Sequence, residues 1–101
     1  MQIPEDLRRL LWEYDLEAAA PDEQWRQALI ERVMQLGTWE QMRWLAKTFD
    51  RATLAGFLAR RGRRTLAPRE LRFWATMTGV EPAASDVWVA DARRRARAWR
   101  G

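Results

Sequence analysis

The sequence predicts an all-α protein, a compact bundle of five to six short helices forming a single helical domain over residues 1–101. Three observations lead there. Apolar residues recur at the three-and-four spacing of a helix face in segment after segment. Capping and stop residues bracket those stripes. No period-two alternation is sustained, since Val87-Trp88-Val89 is too short for a strand that could build a sheet.

The first helix follows Ile3-Pro4. Leu7, Leu10, Leu11 and Tyr14 make its stripe, and Glu5 and Asp6 occupy the first turn, where the helix dipole favours acids. Asp15 to Ala20 connects it to the organising helix, Asp22 to Gly37. There Trp25, Ala28, Leu29, Val33 and Leu36 share one side, and Ile30 and Met34 widen the apolar arc enough for cover on two sides. Pro21 suits a first helical turn, and Gly37 is expected to end the helix in a left-handed turn. Thr38-Trp39-Glu40-Gln41 reads as a capping box that opens the third helix, with Trp39, Met42, Leu45, Ala46 and Phe49 on its stripe and Trp44 off it.

Asp50 is the N-cap of a fourth helix, in which Leu54, Phe57, Leu58 and Arg61 share a face before Gly62 stops it. Arg60 to Arg64, RRGRR, then reads as a basic loop. Pro68 opens a fifth helix with Glu70 in its first turn and Leu71, Trp74, Ala75 and Thr78 facing the core. Phe73 and Met77 lie beside that stripe, and Gly79 closes the helix. Val80 to Ser85 is a link. Ser85 and Asp86 start a sixth helix through Trp99, so that residues 83–101 are an Arg-rich C-terminal helix, partly independent of the rest. Trp88, Ala92, Ala96 and Trp99 align along it.

The composition narrows the function. There is no Cys and no His, which removes disulfides, thiolate chemistry, the usual zinc sites and imidazole acid–base catalysis together. An enzyme is therefore not expected, and no cofactor or metal is implied. The acids Glu13, Asp15 and Glu17 do not share a helical face and read as solvated. No apolar run is long enough for a membrane span and the N-terminus lacks the pattern of a signal peptide, so a cytoplasmic protein without membrane contact is expected.

Charge and aromatic content point to binding. Residues 1–50 carry ten acids and six bases, and residues 51–101 carry four acids and twelve bases, so the halves bear −4 and +8. The basic half suits phosphate or an acidic protein face, and the acidic half a basic partner. Seven Trp in so short a chain is far more than ordinary usage, and each must be buried here or in a partner. Trp25, Trp39, Trp74 and Trp88 fall on apolar stripes and read as core. Trp12 and Trp44 fall off them, which leaves partner contact and edge-of-core packing both open.

Three blocks taken together carry a resemblance. They are Leu10-Leu11-Trp12-Glu13-Tyr14-Asp15, the run from Leu29 through Gly37 to Glu40 (LIERVMQLGTWE), and the run from Arg64 to Trp74 (RTLAPRELRFW). Their order and spacing resemble a family of small uncharacterised prokaryotic proteins with "W-x-Y-D", "I-I-E-R-V-L-x-x-G" and "R-x-L-S-P-x-T-L-x-F-W" blocks. Members of that family are commonly encoded beside a nucleotidyltransferase of the abortive-infection type. Ala67 stands where the family usually has Ser, and Glu70 where it has Thr, so the polar cap before Pro68 is altered. Pro21-Asp22 likewise replaces the family's usual acidic start of the organising helix.

The resemblance implies an antitoxin-like interaction protein that binds and neutralises a cognate nucleotidyltransferase-fold toxin. No catalytic residues transfer with it. The expected partner-facing residues are Trp12, Tyr14, Asp15, Trp44, Arg64, Arg69 and Arg72. The acidic half could face the toxin's cationic substrate site, or the Arg clusters could meet its catalytic carboxylates. The alternative is a small basic nucleic-acid-binding protein, with its own operon's promoter as a candidate target. Arg60, Arg61, Arg63, Arg64, Arg93, Arg94, Arg95, Arg97 and Arg100 would then contact DNA.

Overall fold

The computed structural model of the protein describes residues 5–8 and 23–100. Among these every regular element is helical: α1 (Glu5–Arg8), α2 (Glu23–Leu36), α3 (Trp39–Thr48), α4 (Arg51–Phe57), a π turn (Leu58–Gly62), α5 (Arg63–Thr65), α6 (Pro68–Met77) and α7 (Pro82–Arg100). The all-α bundle expected from the stripes is what forms. The first helix beyond Arg8, with Trp12, Tyr14 and Asp15, lies outside the described residues, as does the start of the organising helix at Pro21 and Asp22.

Local capping sets the helix starts. Thr38 adopts an extended backbone, accepts the Gln41 N–H at 3.2 Å, and donates its own N–H to Gln41 Oε1 at 2.9 Å, a complete capping box. The Gln41 side chain also donates to Asp6 Oδ2 at 2.7 Å, which ties α1 to the start of α3. Asp50 caps α4 by accepting the Thr53 N–H at 2.7 Å. Pro68 stands at the head of α6, and Gly79 ends the turn after it with φ +74°.

The core is one cluster. Leu29, Ile30, Val33 and Met34 of α2 meet Leu45 of α3, Leu54 and Phe57 of α4, Leu58 in the π turn, Leu66, Leu71, Trp74 and Ala75 of the α6 region, and Val89 and Ala92 of α7. Full burial of such side chains stabilises by about 1.5–3 kcal/mol each. α7 joins through Val89 and Ala92, and Arg72 of α6 reaches it with bonds to Asp86 Oδ1 at 2.8 Å and Ser85 Oγ at 3.2 Å.

Several expectations are corrected. RRGRR is not a loop, because the helix of α4 runs on through a π turn into α5 and Gly62 keeps right-handed helical angles. The wider turn shifts the register, so that Gly62 takes the buried position and Arg61 is exposed. A Cβ at Gly62 would lie 2.8 Å from Leu58 Cδ2 and 3.1 Å from Phe57 Cε1, so close approach, and not helix termination, calls for glycine there. Gly37 ends α2 without a left-handed φ, which only Gly79 adopts among the described residues.

Leu36, the last residue of α2, is exposed, and Ala46 is exposed on α3, although both were expected on apolar stripes. The C-terminal helix starts at Pro82, not at Ser85. The Glu81 carbonyl already accepts the Ser85 N–H at 3.0 Å, so Glu81 is its cap and Ser85 lies buried in the first turn.

Candidate functional site

Two surfaces stand out, and the first is an apolar groove. The capping box makes Trp39 the first residue of α3, and its side chain is 60% exposed. This corrects the reading of Trp39 as a core residue: it continues the stripe of Met42 and Leu45, but as the first helical residue it lies at the rim of the core and not within it. Below it, Met34 of α2, Met42 of α3 and Phe73 and Trp74 of α6 line a hollow of about 310 Å3, with Arg69 and Glu70 beside them. The rings of Phe73 and Trp74 pack edge to face, with centroids 5.4 Å apart.

Trp74 is almost wholly buried, and its Nε1–H has no acceptor among the described residues. A tryptophan N–H is a donor only, and when buried it usually finds a partner. Exposed Trp beside flexible Met, Phe and an Arg is the side-chain mixture of protein interfaces.

The second surface is basic. Arg63 and Arg64 of α5 and Arg95 of α7 line a cavity of about 140 Å3 with Trp88 and Asp91. Arg95 Nη2 donates to the Arg63 carbonyl at 3.0 Å, which places a cation on the negative end of the α4–α5 helix. The two Arg-rich stretches, 32 residues of chain apart at this bond, therefore meet here.

The other arginines are dispersed. Arg61 pairs with Glu31 of α2 at 3.5 Å, and Arg94 pairs with Asp91. Exposed pairs of this kind contribute little. Arg60, Arg93 and Arg97 are exposed and have no partner among the described residues. They do not line the cavity, and the side chain of Arg100 lies outside the described residues.

Of the residues expected to face a protein partner, the four described ones lie in different places, and Trp12, Tyr14 and Asp15 lie outside the described residues. Arg69 lies at the groove, Arg64 in the basic cleft, and Arg72 is tied to Asp86 and Ser85 as a clasp between α6 and α7. Trp44 is half-buried against the core edge, beside a shallow hollow lined by Glu40, Arg43 and Lys47. The groove residues Trp39, Met34, Met42 and Phe73 were not among those expected. The usable signal was that Trp39 follows its N-cap directly, where a stripe has least cover.

Asp50 is the one described group with a resolved shift. Its bonds from the Thr53 side chain and backbone hold the carboxyl below the usual carboxylate range. It serves α4 and lines neither surface. Among the described residues no group of three His, Cys, Asp or Glu could hold a metal ion, and no helix is long and apolar enough to cross a membrane. What the two surfaces offer chemically is contact: one apolar with a charged edge, the other a set of guanidinium donors.

No curated protein and no solved structure matches the chain. Residues 7–56 match the model of a family of unknown function, DUF6922, a span that includes two of the three sequence blocks above and ends before the third, so that from the first helix into α4 the chain is similar to that family.

Proposed function

We propose that this chain is a cytoplasmic, antitoxin-like interaction protein that docks on a nucleotidyltransferase-fold toxin and holds it inactive. The observation that carries a docking role is the apolar groove with Trp39 exposed at its edge. A large aromatic side chain left in water next to a methionine-lined hollow is favourable to cover, and such anchors supply most of the affinity of an interface. Arg69, without a partner among the described residues, and Glu70 supply charged contacts at its margin. The choice of a nucleotidyltransferase as partner rests on the resemblance of the three sequence blocks.

The test is co-expression of the full chain with a nucleotidyltransferase-fold protein encoded beside it. Co-purification and relief of growth arrest are expected, and Trp39→Ala should weaken the complex by about 2 kcal/mol or more, some thirtyfold in Kd. If the two proteins neither co-purify nor restore growth, the proposal fails.

A further inference from the structure

The place where α5 meets α7 has the form of a divided cleft. Arg64 and Arg95 line the 140 Å3 cavity that holds Trp88, and the same two residues line a second hollow of about 320 Å3 walled by Leu66, Pro68, Ala92 and Ala96. Arg64 and Arg95 thus border both a compartment with an indole in its wall and one whose lining mixes Gln35 and Thr65 with Pro68 and Ala96.

The positive charge there is not consumed internally. Arg64 is exposed and has no partner among the described residues. Arg63 Nε is buried with no acceptor among the described residues. Arg95 spends one nitrogen on the Arg63 carbonyl, and a guanidinium carries five N–H donors. Asp91, the single carboxylate in the lining, is already engaged by Arg94.

We propose that this cleft binds single-stranded nucleic acid, one phosphodiester lying on Arg63, Arg64 and Arg95. One flanking base rests against Trp88, and the neighbouring nucleoside enters the hollow over Leu66 and Pro68. Arginine forks match phosphate oxygens in pairs, and an indole face accepts any base by stacking. The two compartments bordered by the arginines match the order base, phosphate, base along a strand. A duplex cannot use them, because its bases are stacked and paired. None of the groove residues around Trp39 takes part, so this binding and the docking proposal stand or fall separately.

The experiment is fluorescence anisotropy of the full chain with labelled oligothymidylate and oligouridylate of about 12 nucleotides, between about 50 and 200 mM salt. Binding should weaken with salt at a log–log slope of about −0.7 per phosphate neutralised. Arg64→Ala should cost about tenfold in affinity and remove about 0.7 from that slope. Trp88→Leu should cost about fivefold or more with the slope unchanged, the mark of lost stacking and not of lost charge. Arg93→Ala removes the same charge elsewhere on α7 and should stay within about twofold of wild type.

Circular dichroism checks that each variant is folded, and Arg64, being exposed and unpaired, keeps the test valid if Trp88→Leu is not. Absence of binding at low salt overturns the proposal. So does an equal loss from Arg93→Ala and Arg64→Ala, or tighter binding of a blunt duplex of the same length. Equally tight, Arg64-dependent binding of polyglutamate would also overturn it, and would reassign the cleft to an acidic protein segment.

Discussion

Substituting Ala67→Ser should stabilise this protein. Three helix starts can be compared directly. Thr38 (φ −73°, ψ 168°) and Asp50 (φ −74°, ψ 165°) are N-caps whose side chains accept a backbone N–H three residues on. Ala67 (φ −65°, ψ 155°) has the same extended backbone before α6 but no side-chain acceptor. The N–H of Pro68 is absent by chemistry, and the Ala67 N–H is held by Gln35 Oε1 of α2 at 3.2 Å. The N–H groups of Arg69 and Glu70 receive no side-chain cap from position 67, and a serine Oγ there would stand in the place that Thr38 Oγ1 occupies before Gln41. Space exists, since Ala67 borders the 320 Å3 hollow.

An N-cap hydroxyl in place of alanine contributes about 1 kcal/mol. For a domain of this size that raises Tm by about 4–8 °C. Thermal and urea unfolding followed by far-UV circular dichroism measure it, with Ala67→Gly as a control that lacks the acceptor. An unchanged or lowered Ala67→Ser midpoint in a folded protein would refute the reasoning, because it would mean that the first turn of α6 is already satisfied.

Gly62→Ala should destabilise by about 1–3 kcal/mol despite alanine's better helix propensity, since the new methyl meets the fully buried Leu58 and Phe57; a higher urea midpoint would contradict the packing described. Trp39→Ala should leave stability within about 0.5 kcal/mol, whereas Leu29→Ala in the centre of the core should cost about 2–5 kcal/mol in the same assay. Asp50 has a lowered folded pKa, so its cap contributes fully above the unfolded carboxylate range and is lost as pH falls through the lowered value. Asn caps a helix without titrating, so the stability of wild type relative to Asp50→Asn should fall on acidification below about pH 4, and urea midpoints at stepped pH would show a rise if the sign were wrong.

How much of this was legible beforehand follows from the range of the interactions concerned. The capping box at Thr38, the Asp50 cap, Pro68 at the head of α6 and the helix stop at Gly79 are features confined within about one turn of chain, and each was readable, although the left-handed turn expected at Gly37 falls at Gly79. The buried faces of α2 and α6 were readable for a similar reason, since helix periodicity brings Leu29, Val33, Leu71 and Trp74 to one side before any neighbour is known. The basic run around Gly62 was misread because glycine serves both as a stop and as a point of close approach. Which role it plays depends on Phe57, Leu58 and Leu66 packing against it.

By itself the sequence determined helical content, most helix starts and the absence of thiol and imidazole chemistry, because those depend on residue identity and near neighbours. Only the tertiary structure decided that Trp39 meets solvent, that α7 begins at Pro82, and that Arg63 and Arg64 share a cleft with Arg95 and Trp88. Exposure of a stripe residue and convergence of distant charges are set by which helix lies opposite, and no local spacing encodes that.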